Sequence, residues 1–260
     1  MHDIPNPRPS KDFMEAFKAA GRSLQAEADR RGMTLIWIKA VPYGPSLEHL
    51  SFFCAGQAYF VQIVDGAGRS AFPGGSKAGL LRIAREYEGF ACWMPLRRAS
   101  GLFGLGRASW EPVHPGWGLV DAATGAPVRP EDLASAEPRL ATRWELHDFA
   151  IQIVRETLEK QGLTVLSWNS DPDVEPALWF KGASGQPEWA CVGECLGPAS
   201  RVCAPESLLE LASAMMDRGF RGWWAPVGFA PLVRKPGRPD GLYRGEGADV
   251  DFKGLLPLPL

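Results

Sequence analysis

Apolar positions along this chain recur with two periods, and the order in which the periods alternate is repeated. Phe13, Phe17, Ala20 and Leu24 lie on one stripe of a 3.6-residue period behind Ser10, which is placed to cap a helix. In the second half Leu146, Phe149, Ala150, Ile153, Val154 and Leu158 form such a stripe behind Thr142-x-x-Glu145, the pattern of a capping box. Gly32 and Gly162 supply the left-handed stop after each helix. Three β-type runs follow in each half, over 34–41, 50–54 and 59–64, then over 164–168, 177–181 and 189–192. The last two runs of each set are joined by a short Gly-containing turn and predict a hairpin. A second helix is predicted from Ser76 to Gly89 and from Pro205 to Gly219. A fourth strand runs through Trp93-Met94-Pro95 or Trp224-Ala225-Pro226, and a closing hairpin ends at Val128 or near Phe252.

The two halves match residue by residue. Gly32-Met33-Thr34-Leu35 returns as Gly162-Leu163-Thr164-Val165, and Gly56-Gln57 as Gly185-Gln186. Leu80-Leu81 through Gly89-Phe90 to Trp93-Met94-Pro95 returns as Leu208-Leu209 through Gly219-Phe220 to Trp224-Ala225-Pro226. Pro115 to Val120 is aligned with Pro236-Gly237 and Gly241-Leu242-Tyr243. The order holds at an offset of about 130 residues, which a duplication produces and chance does not. The predicted fold is therefore α+β: a tandem duplication of an αβββαβ unit with a closing β-hairpin, packed as a pseudo-dimer. Residues 1–128 make the first unit and 142–260 the second. Residues 129–141, with Pro130 and Pro138 and few apolar side chains, are the expected linker.

Composition narrows the function classes. The 260 residues are 45% hydrophobic and 22% charged, with 28 Lys plus Arg against 30 Asp plus Glu. A net charge of −2 disfavours a protein that coats nucleic acid through its overall field. No stretch approaches the roughly 18 apolar residues of a membrane-spanning helix. Met1-His2-Asp3-Ile4-Pro5 has no basic segment leading into an apolar one, so a cytoplasmic location is expected. The five cysteines, Cys54, Cys92, Cys191, Cys195 and Cys203, read as reduced and mostly buried. The spacing of the last three lacks a C-x2-C knuckle and a nearby His, so no metal and no cofactor are expected. His2, His49, His114 and His147 are scattered, and motifs for nucleophilic, zinc-protease or P-loop chemistry are absent.

Helix, three strands, helix, strand is the core order of the PD-(D/E)XK, or restriction-endonuclease-like, superfamily, which each half resembles. The second half is similar to it at Glu175-Pro176-Ala177-Leu178-Trp179-Phe180-Lys181, Gly185 and Trp189-Ala190-Cys191-Val192-Gly193. The resemblance implies an Asp at the position of Ala177 and a Glu and a Lys at those of Cys191 and Gly193. In the first half these positions are His49, Gln62 and Val64. Two acids there would hold a divalent metal while Lys stabilises charge at the scissile phosphate. Neither half keeps that set, so the resemblance implies a degenerate scaffold without nuclease chemistry. The alternative is a divergent metal-dependent nuclease whose site has migrated to Asp173, Glu175, Glu188 and Lys181.

The expectation is a non-catalytic protein that binds another macromolecule, most simply another protein, as a monomer or simple dimer. A chaperone- or immunity-type protein with one cognate partner is a second form of that reading. Candidate contact residues are Trp110 and Trp117 in a Gly/Pro-rich stretch, Trp223 and Trp224, whose side chains must point to opposite faces, and Phe103 in the apolar segment Gly101 to Gly106. The remaining tryptophans of the ten are assigned to strand packing, with Trp93/Trp224 and Trp37/Trp168 as inherited pairs. Arg218, Arg221, Arg234, Lys235, Arg238 and Arg244 are read as a solvated face, with nucleic-acid binding possible and not favoured. The apolar tail from Gly254 to Leu260 cannot be helical through Pro257 and Pro259 and must dock in a groove.

Overall fold

A computed structural model describes residues 9–40, 48–67, 72–99, 109–135 and 137–258. The chain divides into two compact units, Met1–Glu137 and Pro138–Leu260. In the first unit α1 (Lys11–Arg30) precedes β1 (Leu35–Ala40), β2 (Leu50–Cys54) and β3 (Gln57–Asp65). Then come α2 (Lys77–Glu86), β4 (Phe90–Ala99), β5 (Ser109–Pro112) and β6 (Val120–Asp121). In the second unit α3 (Arg143–Lys160) precedes β7 (Thr164–Trp168), β8 (Leu178–Lys181) and β9 (Pro187–Leu196). Then come α4 (Glu206–Met216), β10 (Arg221–Pro231), β11 (Ala248–Asp251) and β12 (Leu256–Pro257). The class is α+β, and the αβββαβ order occurs twice.

The two sheets share a topology. Among the described residues the first runs β1-β2-β3-β4-β5 and the second β7-β8-β9-β10-β11, with β6 and β12 added to β4 and β10. The three-stranded meanders are antiparallel, and the helical crossover makes β3/β4 and β9/β10 parallel. Both edge pairs slip register at the same place, between Trp37 and Lys39 and between Val165 and Ser167. Gln62 lies opposite Trp93 as Cys191 lies opposite Trp224, and Val64 faces Pro95 as Gly193 faces Pro226. Leu50 pairs with Val61 as Leu178 pairs with Ala190, which makes His49 and Ala177 counterparts.

Register also corrects two sequence matches. Ala40 pairs with Leu50 as Trp168 pairs with Leu178, so the counterpart of Trp168 is Ala40, and Trp37 corresponds to Val165. Trp37 is 37% exposed and is not a core position. Val120 pairs with Trp93 as Leu256 pairs with Trp224, so the counterpart of the Leu119-Val120 segment is the C-terminal tail, not the stretch around Leu242. The tail docks on its own unit: β12 extends the sheet and Leu258 is buried beside Trp189, Leu208 and Trp224.

Each unit has its own core. On α1, Phe13, Ala16, Ala20, Leu24 and Ala28 are fully buried, and all but Phe13 pack on Leu50, Phe52, Tyr59, Val61 and Ile63. On α3, Ala150, Ile151, Val154 and Leu158 pack on Leu178, Phe180, Ala190, Val192 and Val227. Ser10 and Thr142 cap as expected, the latter in a complete capping box. Pro205 is the residue before α4 instead of its first. Gly32, Gly162 and Gly219 have positive φ, whereas after α2 Glu88 takes the left-handed conformation at φ 48. Gly89 is needed for a different reason: a Cβ there would lie 2.6 Å from the Ala58 carbonyl oxygen.

The expected linker is mostly absorbed by the units it joins. Pro130–Leu133 form a 3-10 turn; Pro130 is buried, and the Leu133 carbonyl accepts from Gln57 Nε2 at 3.1 Å. The Ser135 amide donates to Ala55 O, and the Ala141 amide donates to Leu242 O in the second unit. These backbone groups are satisfied by the sheets, so the boundary narrows to Glu137–Pro138.

Candidate functional site

The positions that the resemblance assigns to chemistry lie where the second strand of each meander begins and where the third passes it. In the first unit this edge is sealed. His49 is 2% exposed, its Nδ1 accepts from the Ile63 amide at 2.9 Å, and its Nε2 donates to the Pro73 carbonyl. Those two partners define a neutral imidazole with both nitrogens occupied. Burial pulls the His49 pKa down to about 4, against the opposing pull of the Pro73 carbonyl. Gln62 Nε2 donates to Gly75 O at 2.7 Å, and Phe13 sets its ring edge against His49 at 5.0 Å. A Cβ on Gly74 would lie 2.5 Å from Gln62 Nε2, so the backbone of 73–75 closes directly over both side chains.

In the second unit the same edge holds Ala177, Cys191 and Gly193, the first two fully buried. A Cβ on Gly193 would stand 2.3 Å from Trp224 Cη2, so the indole of β10 fills the space a side chain here would need. The nearest acid is Glu175. Glu175 is exposed, yet its carboxyl is near enough to the Cys191 thiol for each group to shift the other's pKa. Partial burial raises the Glu175 pKa, with Glu194 adding to the rise and Cys191 and His147 opposing it. Burial also raises the Cys191 thiol pKa, reinforced by Glu175, which keeps the sulfur protonated.

Nearby, the first turns of α3 carry the polar side chains of Glu145 and His147 inward. His147, 3% exposed, sets Nδ1 at 2.7 Å from Glu194 Oε2, while Arg143 Nε lies 3.6 Å from Glu194 Oε1. The buried Nε2 of His147 has no hydrogen-bond partner among the described residues. Glu145 closes the capping box and is gripped by Arg244, whose Nε lies 2.9 and 3.0 Å from its two oxygens. Arg244, expected on a solvated basic face, is thus a buried structural cation. Sequence reading missed this pairing because its partners are 99 residues apart. It also missed the pairing of His147 with Glu194, for which the inward period of α3 was the available signal.

The migrated acidic set does not assemble. Asp173 is exposed, and its amide donates to Asp171 Oδ1 within a turn. Glu188 is buried and accepts from Trp223 Nε1 at 2.6 Å. Lys181 is exposed and pairs with Pro187, at the far end of β8 from Glu175, because β8 and β9 are antiparallel. Among the described residues no group of three or more His, Cys, Asp or Glu is placed to hold a metal ion. Cys54, Cys92 and Cys191 are buried free thiols; Cys195 is half-buried and Cys203 exposed.

The aromatic candidates are mostly interior. Trp110, 7% exposed, donates to Asp12 Oδ1 at 3.1 Å under the Arg98 guanidinium. Trp117, 2% exposed, donates to Glu131 Oε2 at 2.8 Å and stacks near Phe52. A contact role would need both at the surface; instead β5 carries Trp110 into the core and the Gly/Pro-rich stretch after it buries Trp117. Trp223 packs on the α3 side and carries Arg221 over its ring at 4.2 Å, while Trp224 is buried on the α4 side. Phe103 lies outside the described residues.

No helix among the described residues is long and apolar enough to cross a membrane. A family model described as a domain of unknown function, DUF8840, matches residues 144–258, most of the second unit and less than half of the chain. No curated protein and no solved structure matches. The second unit is therefore similar to a domain family whose description assigns it no activity.

Proposed function

We propose that this protein is a non-catalytic, cytoplasmic binding protein built on a duplicated, degenerate restriction-endonuclease-like scaffold, with another protein as its partner and no cofactor. One observation carries the reading. At the edge where that scaffold would place metal and phosphate, the first unit holds a neutral His49 used up by Ile63 and Pro73, and the second holds Ala177, Cys191 and a Gly193 filled by Trp224. Among the described residues no acids are grouped to hold a divalent ion, and position 193, where the resemblance asks for a lysine to offset charge at a phosphate, is a glycine. A chaperone- or immunity-type protein is the same reading with a single cognate partner.

The test has two arms. Purified protein with Mg²⁺ or Mn²⁺ is incubated with single- and double-stranded DNA and RNA, beside Glu175→Ala. No cleavage by either is expected; metal-dependent cleavage lost in Glu175→Ala would establish the divergent nuclease instead. Tagged protein recovered from its native host should bring down a protein in stoichiometric amount, and nucleic acid alone in the eluate would count against a protein partner.

A further inference from the structure

Residues 119–122 of the first unit and 255–258 of the second lie at the same place in their sheets but are held differently. In the first unit Leu119, Val120 and Ala122 are all buried, and the Ala122 amide donates to the Ala91 carbonyl at 2.9 Å. A turn built on Asp121 and a bridge from Val120 to Pro127 hold β6 from behind. In the second unit the register of β12 puts Leu258 opposite Gly222. Gly222 is the counterpart of Ala91, since it pairs with Trp189 as Ala91 pairs with Phe60. Here only Leu258 is buried: Leu255 is half-buried, Leu256 is 48% exposed, and Pro257 is exposed and has no N–H for the ladder. Leu258 enters a defined pocket. The Trp189 indole lies across Gly222, its Cζ2 2.3 Å from where a Cβ would stand, and Leu208 and Trp224 complete the walls. Trp189 Nε1, bonded to the Cε2 that lies at Gly222, is a buried donor without a hydrogen-bond partner among the described residues. Leu258 fills the space and leaves that donor unmet, so a side chain of similar size with an acceptor would fit better.

We propose that this groove is where the partner protein binds: an extended segment of the partner, anchored by a leucine-sized side chain, replaces residues 254–258 and pairs antiparallel with β10 at Trp223 and Trp224. The proposal rests on the protein-partner reading above and names its surface. The chain's own segment shows what the groove accepts, since Trp224 pairs with Leu256 and Trp223 with Pro257. Strand addition of this kind takes affinity from the backbone ladder and specificity from the side-chain pocket. On the same side of β10, β11 covers only Gly228 to Pro231, so departure of β12 exposes the backbone edge at Trp223 and Trp224. Gly254, at φ 107, is the turn at which the segment enters the groove and the place where it can swing out. The tethered segment competes with an incoming one at an effective concentration of roughly mM.

The probe is a fluorescein-labelled peptide of residues 254–260, Gly-Leu-Leu-Pro-Leu-Pro-Leu. Full-chain Leu258→Ala, whose own anchor is cut back, should bind it with a dissociation constant on the order of 10–100 µM, and the wild type at least about tenfold more weakly. The same peptide carrying Leu258→Ala should bind neither. In the wild type, about 1 mM unlabelled peptide should speed hydrogen exchange at the amides of Leu255, Leu256 and Leu258 and leave β9 protected. That measurement decides the matter even if Leu258→Ala fails to fold. No binding to folded Leu258→Ala, or unchanged exchange in the wild type, would overturn the proposal, as would a dimer made by trading residues 254–258 between copies. In host extract Leu258→Ala should capture more of the partner than the wild type, and the peptide should release it. A host protein captured equally by both and not released would overturn the groove as its site and leave the protein-partner reading intact. Peptide binding with no host protein recovered would overturn that reading instead.

Discussion

At Gly193 and Gly222 the missing side chain is a packing requirement. Trp224 lies where a Cβ on Gly193 would go, and Trp189 lies 2.3 Å from where one on Gly222 would go, so the two indoles interlock across parallel strands. Gly193→Lys, which would restore the residue that the nuclease resemblance asks for, should therefore cost about 3 kcal/mol or more instead of creating activity, as read by denaturant unfolding. Glu88→Gly should act in the opposite direction. Glu88 is exposed at positive φ, and glycine relieves about 1 kcal/mol of backbone strain there. His49 makes stability depend on pH. Its folded pKa of about 4 lies below the ordinary 6.5, so the unfolded chain binds the extra proton between those values. Stability present above pH 6.5 is lost as pH falls toward 4, by up to about 3 kcal/mol, and His49→Gln should flatten that limb. Glu27, held near 2 chiefly by the Arg30 hydrogen bond, gives a second loss between 4.5 and 2, which that variant keeps.

At the scale of elements, the helices, their caps and the strand order could be read from period and end signals, because those are local. The capping box at Thr142 is written in four consecutive residues. What the box is tied to is not, since Arg244 reaches Glu145 from the other end of the second unit. Arg244→Ala should leave Glu145 buried without its cation and lower stability by about 3–5 kcal/mol, measurable as a fall in melting midpoint. The apolar tail was legible as a segment that must be covered, and its role as the counterpart of β6 was not, because register depends on the partner strand. Leu258→Ala, at 5% exposure beside Trp224, should cost about 2 kcal/mol and loosen the packing of α4.

On the scale of the whole molecule, each unit has its own hydrogen-bonded sheet and a separate apolar core. Residues 138–260 expressed alone should therefore unfold cooperatively and keep near-ultraviolet circular dichroism from the buried tryptophans; a molten state would contradict independent cores. The duplication was visible in the sequence because matched apolar periods and turn glycines survive divergence: any residue of suitable size and polarity preserves them. Site chemistry was visible only as a set of missing residues. Sequence alone thus determined two αβββαβ units and their helix ends. Tertiary structure decided the strand register, the burial of Trp110 and Trp117, the pairing of His147 with Glu194, and the sealing of His49. The physical reason is range. Periodicity and capping act within a few residues, whereas burial and hydrogen-bond partnership arise between segments that only the folded chain brings together.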